Sequence, residues 1–222
     1  ALWKASPSGV ATIGISGLAS AGFFGVGTIY AIKSGLSVSE TALFMTLFIG
    51  FGALSQWPLG WLSDRIDRRK VILLCCSVVI GLCIILALFD FSKTTLLILN
   101  GLIGATTLPL YSLGVAQTND RLKLSQMVSA SGTIIFGYSV FAALGPFTMS
   151  YFLELFDSNG FLLYLSIVHL VIALTVFVMM FITEDVVESD QADFQVMAQT
   201  PSLVAREVIA EEALESHIDL EK

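Results

Sequence analysis

Charged residues are scarce in this chain. They make up 13% of its 222 residues, whereas soluble domains usually carry about 25%. Hydrophobic residues make up 55%, and the mean hydropathy is +0.85. A composition this apolar excludes an ordinary water-soluble domain and indicates that lipid is the main solvent.

Residues that do chemistry are also few. Cys75, Cys76 and Cys83 share one apolar run without metal-ligand spacing, so we expect no metal site and no cofactor. The sequence contains no H-E-x-x-H, P-loop or G-x-S-x-G motif. Its one basic cluster is too small and too mixed in sign for nucleic acid. We therefore predict no enzyme activity and no nucleic-acid partner.

Long apolar runs are abundant instead. Each is close to the roughly 20 helical residues that cross a bilayer core of about 30 Å. The runs cover, approximately, residues 10–32, 38–62, 71–89, 95–115, 127–153 and 161–182. We expect an all-α membrane protein with six transmembrane helices in residues 1–182, embedded in a lipid bilayer.

Lysine and arginine are distributed unequally between the two ends of these helices. One end carries only Lys33 and Lys93. The other end carries Lys4, Arg65, Arg68, Arg69, Lys70, Arg121 and Lys123. Because basic residues near span ends stay preferentially in the cytoplasm, we expect the 63–70 loop and both termini to be cytoplasmic.

Residues 183–222 form a separate, acidic segment. They contain eleven Asp and Glu residues against two basic ones, Arg206 and Lys222. We expect an acidic cytoplasmic tail. A solvated tail and a partner-binding helix after Ser202 are both open interpretations.

The loop between the second and third runs carries a recognisable pattern. It reads Gly60-x-x-x-Asp64-Arg65-x-Asp67-Arg68-Arg69, which resembles the G-x-x-x-D-R-x-G-R-R signature of the major facilitator superfamily. The sequence departs from that signature at Asp67, where glycine is usual. A turn at this position therefore cannot depend on glycine's access to positive φ.

This resemblance implies an architecture and a function. In the superfamily the signature joins the second and third helices of a six-helix half, built from two three-helix repeats, and two halves make one transporter. Gly145-Pro146 in the fifth run, the acidic tail and the absence of an initiator Met favour a bacterial carboxy-terminal half. The other half would lie upstream in the same polypeptide or on a second chain, in the bacterial inner membrane.

The charged loop is a candidate conformational switch. Asp64 is suited to accept hydrogen bonds at the N-terminus of the fifth helix, near Ser125 and Gln126. Arg68 and Arg69 are suited to pair with Asp120 after the fourth helix. We predict a gate across the cytoplasmic mouth that consists of Gly60, Asp64, Arg65, Arg68, Arg69 and Asp120. The alternative is a basic loop that sets topology and has no switching role.

The first and fourth helices carry polar stripes at helical spacing. The stripes suggest a wall that contacts substrate, which agrees with the cavity-lining role of these helices in the superfamily. The candidate cavity residues are Ser16, Ser20, Phe24, Tyr30, Asn100, Thr107 and Tyr111. The alternative is that these groups only form hydrogen bonds between helices. His169 is a candidate proton-coupling residue or, alternatively, a structural one.

The resulting hypothesis is a secondary active transporter of a small-molecule substrate that works by alternating access. The runner-up is a six-helix membrane scaffold or sensor whose acidic tail recruits a cytoplasmic partner. Substrate, direction of transport and coupling ion do not follow from the sequence.

Overall fold

The computed structural model describes residues 2–122, 124–183 and 194–196, and every regular element in them is a helix. Six segments are long and apolar enough to cross a membrane, as the apolar runs predicted. The helices are α1 (Leu2–Ala5), α2 (Pro7–Lys33), α3 (Val38–Ser63), α4 (Arg68–Leu88), α5 (Lys93–Thr107), α6 (Pro109–Asn119), α7 (Leu124–Phe156) and α8 (Ser158–Ile182). The fourth span comprises α5 and α6 together.

Polar residues in the loops determine where several helices begin. Ser37 and Glu40 form a reciprocal capping box at the start of α3, which satisfies two of the backbone groups left open there. Ser92 accepts a hydrogen bond from the Thr95 amide at the start of α5. The apolar runs alone do not specify these boundaries, because their ends are diffuse.

The fourth span is interrupted at Leu108, immediately before Pro109. Proline has no amide hydrogen to donate and its ring crowds the preceding turn. This interruption at Pro109 separates α5 from α6, although Leu108 itself keeps helical φ and ψ of −66° and −37°.

The packing of the six spans is consistent with two three-helix repeats. The most extensive contacts join α2 to α7, α3 to the α5–α6 span, and α4 to α8. If the first three spans are exchanged with the last three, the α2–α7 pairing becomes the pairing of the α5–α6 span with α3. The α4–α8 pairing is unchanged by the same exchange. This symmetry is expected of the internal repeats in transporter folds, although the sequence shows no repeat by eye.

The two ends of the bundle differ in their charges. At one end Lys33 pairs with Asp157 at 2.5 Å and Lys93 pairs with Glu40 at 2.9 Å. The hydrogen bond from Lys33 lowers the pKa of Asp157, which is fully exposed. Such exposed pairs contribute little to stability. The opposite end contains the 63–68 loop, Asp120 and Thr183, and there Arg68, Arg69 and Asp120 are buried.

Most of the acidic tail lies outside the described residues. The structure does describe residues 194–196, and Phe194 contacts the bundle. The predictions for Ser202 and the rest of the tail, and for the side chains of Ser125 and Gln126, likewise lie outside the described residues.

Candidate functional site

The candidate site lies at the end of the bundle where α3 passes into α4. Asp64 is the C-cap of α3, and its amide donates to the Gly60 carbonyl at 3.0 Å. Asp67 is the N-cap of α4, and its carboxylate accepts the Arg69 amide at 2.9 Å. The loop between the caps is therefore short and well defined, and it aims the arginines of α4's first turn at the bundle.

Asp67 explains how the loop functions without the glycine of the signature. Its φ is −49° and its ψ is 117°, and a negative φ does not require glycine. Aspartate is also among the preferred N-cap residues because its carboxylate accepts helix N–H groups. The residue therefore terminates the loop with a side-chain cap, where a left-handed turn would have needed glycine.

Arg68 is the centre of the site. Its side chain is 0% exposed, and its Nε donates to Asp120 Oδ2 at 2.8 Å. Its Nη1 lies 2.9 Å from Ser63 Oγ and 3.0 Å from Asp64 Oδ1. The predicted pairing of Arg68 with Asp120 is present, and it connects the loop to the end of α6.

Burial makes this arrangement energetically critical. The Asp120 side chain is 2% exposed, so both members of the pair are removed from water. An intact buried pair contributes little net stability, but removal of one partner typically costs about 3–5 kcal/mol, since it leaves an uncompensated buried charge. The site therefore strongly favours the arrangement in which the Arg68 contacts are intact.

Arg69 is also buried, at 1% exposed, and it contacts a different part of the bundle. Its guanidinium binds the Asp67 carboxylate, with the closest contact at 2.9 Å. It also donates to the Thr183 carbonyl at 3.1 Å, just beyond the end of α8. The two adjacent arginines thus link the same loop to the ends of two different helices.

Arg65 is the exception among the predicted gate residues. It is exposed, and its guanidinium lies 3.8 Å above the Trp61 ring as a cation–π contact. Its Nη1 also donates to the Trp61 carbonyl at 3.4 Å. These interactions stay within the end of α3, so Arg65 does not link helices as Arg68 and Arg69 do.

Gly60 and Asp64 both contact the tail segment. The Asp64 carboxylate accepts the Phe194 amide at 3.0 and 3.3 Å. A Cβ on Gly60 would overlap the Phe194 ring. The donor expected for Asp64 was the N-terminus of the fifth span, whereas the donor in the structure is the backbone of Phe194.

Arg121 also belongs to the site, although the sequence pattern assigned it only a role in setting the orientation of the chain in the membrane. Burial and the nearby Arg69 lower the pKa of its guanidinium, whereas Asp67 and Asp120 raise it. Arginine stays charged under these conditions, so Arg121 is a further cation beside the network. Its position directly after Asp120 in the sequence was the signal that could have identified it as a residue of the site.

The predicted cavity residues do not form one surface. Phe24 is 44% exposed, whereas the other six are buried, at 5% exposure or less. Asn100 donates to the Phe44 carbonyl at 2.7 Å, and Ser20 donates to the Ser16 carbonyl at 2.6 Å. Periodicity placed these groups on helix faces correctly, but packing against neighbouring helices encloses those faces.

The aromatic members of the same set also contact other helices of the bundle. Tyr30 stacks on Phe161 with ring centroids 4.2 Å apart, and Tyr111 meets Tyr138 edge-on at 4.9 Å. Tyr138 belongs to α7, which is not one of the helices predicted to line the cavity. A small, largely apolar pocket lies between α2 and α7, lined by Val10, Ile13, Gly14, Thr133, Ile134, Gly137 and Tyr138.

His169 is fully buried, and both of its ring nitrogens have partners. Nδ1 lies 2.7 Å from the Leu165 carbonyl, and Nε2 lies 3.2 Å from Thr107 Oγ1. A neutral ring satisfies both contacts when Nδ1 donates and Nε2 accepts from the threonine hydroxyl. This geometry favours the structural interpretation of His169, as a link between α8 and α5.

Comparison with known proteins identifies the family. The Major Facilitator Superfamily model matches residues 10–213. The chain belongs to the major facilitator superfamily. Similar proteins are named "Uncharacterized MFS-type transporter YcaD" in Escherichia coli strains O139:H28, O9:H4 and K12. Each is 24% identical over 145 residues, which are 65% of this chain and 37% of the relative.

Membership in the superfamily accounts for several features at once. The chain is a multi-pass membrane protein of a transporter superfamily, and its signature loop lies between its second and third spans. The region aligned with these relatives spans little more than a third of their length.

In the residues that the structure describes, no group of three or more His, Cys, Asp or Glu residues is arranged to hold a metal ion.

Proposed function

We propose that this chain supplies one six-helix half of a secondary active transporter that moves a small solute by alternating access. The observation that carries the proposal is the buried Arg68–Asp120 pair, which joins the signature loop to the end of α6. Superfamily membership supports the transporter class. The symmetric packing of the three-helix repeats supports the half-transporter architecture.

The proposed orientation places the charged loop and both termini in the cytoplasm of a bacterial cell. The basic residues of the loop and of the 121–123 segment support this orientation in the inner membrane. The end with Lys33 and Lys93 faces outward, and each of these lysines pairs with an acidic residue. We assign the chain to the carboxy-terminal half, partnered with a second six-helix unit.

The proposed gate comprises Asp64, Arg68, Arg69 and Asp120, with Gly60 allowing close approach. These contacts connect three places: the α3–α4 loop, the end of α6 and the end of α8. A relative motion of these helix ends breaks several charge-assisted hydrogen bonds together. The network therefore favours the conformation in which the cytoplasmic side is closed, and its rupture accompanies opening. Arg65 contributes cytoplasmic charge at the rim.

The proposed solute cavity lies where this half faces its partner half. Phe24 is the predicted cavity residue that is already exposed on α2. The other six predicted cavity residues are buried, and in this proposal a helix rearrangement uncovers them so that they line the cavity. They are Ser16, Ser20, Tyr30, Asn100, Thr107 and Tyr111. In the observed state they stabilise the bundle behind that surface.

Asp64→Asn tests the gate. The substitution keeps the side-chain shape but removes the charge that faces Arg68, so the closed state loses part of its stabilisation. We expect solute flux to fall roughly tenfold, the effect of shifting a two-state equilibrium by about 1.4 kcal/mol. Flux is measured in vesicles with a solute identified by screening radiolabelled compounds against the full-length transporter.

The matched control is Asp90→Asn, an exposed aspartate at the opposite end of the bundle. It should transport as the unmodified protein does, and both variants should be present in the membrane at equal levels. Normal flux in the Asp64→Asn variant would show that the loop sets topology without acting as a gate.

A further inference from the structure

The tail contacts the signature loop through Phe194, a residue that is not part of the superfamily signature. Phe194 is the one aromatic residue among residues 183–222. Its ring packs, as Leu59 and Leu62 do, against a buried apolar cluster that includes Val71, Ile72 and Leu110. Its neighbours Gln195 and Val196 are exposed. The one Phe, Tyr or Trp side chain of the acidic tail thus lies in an apolar site.

The site that receives Phe194 depends on a glycine. A Cβ on Gly60 would overlap three atoms of the Phe194 ring, so only glycine leaves the space that the ring occupies. Gly60 itself is buried although it lies near the end of α3. The close approach at this position is therefore between the helix and the tail.

The backbone of the tail segment makes a second, polar contact at the same place. The Phe194 amide donates to both oxygens of Asp64, at 3.0 and 3.3 Å. Asp64 Oδ1 also lies 3.0 Å from Arg68 Nη1. One carboxylate thus receives the tail and the central arginine of the network together.

Charge favours the same association. Residues 183–222 carry eleven acidic and two basic residues, while residues 64–70 carry four basic and two acidic ones, which leaves the loop net positive. Opposite charges raise the local concentration of a tethered segment near its site. The ring and the amide then define where it docks.

We propose that the segment 194–196 is a latch, which docks through Phe194 on the signature loop of its own chain and holds the Asp64–Arg68 contact in place. The docking itself does not depend on transport. The consequence for gating rests on the proposed function: release of the latch frees Asp64 and loosens the cytoplasmic network.

Hydrogen–deuterium exchange of the full chain in lipid nanodiscs tests the latch. The variants are Phe194→Ala, which removes the ring, and Gly60→Ala, which fills its site. In both, we expect the Phe194 amide, which donates to Asp64, and the amides of the loop at 64–66 to exchange about tenfold faster than in the unmodified chain, because docking protects them. Val196→Ala is the matched control, since Val196 is 61% exposed, and it should leave exchange unchanged.

The outcomes separate the parts of the proposal. If the Phe194 amide exchanges at the free-peptide rate in the unmodified chain, docking is wrong. If Phe194→Ala releases the tail and leaves exchange at 64–66 unchanged, the tail docks without acting as a latch. Since Phe194→Ala alters only the tail, the test stands even where Gly60→Ala fails to fold. Neither outcome depends on a transport assay.

Discussion

Arg68→Ala is expected to lower the free energy of unfolding by about 3–5 kcal/mol. The arginine is 0% exposed and is bound by Asp120, which is 2% exposed, and by Asp64 and Ser63. Its removal leaves Asp120 buried without the guanidinium that it faces. The side chain also fills space beneath the loop, so truncation costs packing as well as charge. Unfolding in mixed micelles, followed by tryptophan fluorescence, measures the loss.

Arg65→Ala is the matched control for Arg68→Ala. It removes the same residue type from the same loop, but Arg65 is exposed and contacts Trp61 through a cation–π interaction. The expected cost is about 0.5–1 kcal/mol. Equal losses from the two substitutions would contradict a buried network centred on Arg68.

Gly104→Ala is expected to destabilise the bundle by about 1–3 kcal/mol. A Cβ on Gly104 would overlap the carbonyl of Phe48, so α3 and α5 approach each other closely at this point. Backbone atoms cannot swing aside as a flexible side chain can, and the two helices must therefore separate. Separation also weakens the hydrogen bond from Asn100 to the Phe44 carbonyl. Thermal unfolding in detergent measures the change.

Gly50→Ala is the control for this glycine. Gly50 lies on the partner helix α3, and a Cβ there meets no atom within 4 Å. Alanine is the better helix former, by about 1 kcal/mol, so the expected change is zero or a slight gain in stability. A loss as large as that of Gly104→Ala would show that the overlap with the Phe48 carbonyl is not what determines the result.

The six spans could be predicted from the sequence because their signal is local. A run of about 20 apolar residues specifies a spanning helix with little help from its neighbours. The interruption at Pro109 is local in the same way, since proline acts on its own turn. The precise helix ends depend on capping contacts such as Ser37 with Glu40, which hydropathy does not reveal.

The charged site could be predicted in part. Arg68 and Asp120 were expected to pair because opposite charges at the same end of the bundle attract each other, and they do pair. Full burial of Arg68 and the contact of Arg69 with Thr183 depend on how α4 packs against α8. Phe194 could not be assigned a partner, since nothing local in an acidic tail indicates where its single ring docks.

The polar stripes show what periodicity cannot decide. Asn100 and Thr107 share a helix face, as their spacing predicts, but a cavity wall and a helix contact require the same spacing. Packing decides between them: Asn100 is hydrogen-bonded to Phe44 and Thr107 to His169. A polar group in an apolar segment thus indicates a partner, without indicating whether that partner is a helix or a solute.

Sided labelling tests the central claim that the signature loop faces the cytoplasm. A single cysteine is placed at Arg65 or at Asp90, both exposed and at opposite ends of the bundle, after Cys75, Cys76 and Cys83 are replaced by alanine. A membrane-impermeant maleimide should label position 90 in right-side-out vesicles and position 65 in inside-out vesicles. Labelling of position 65 from the outside, with position 90 protected, would contradict the proposed orientation and the cytoplasmic gate.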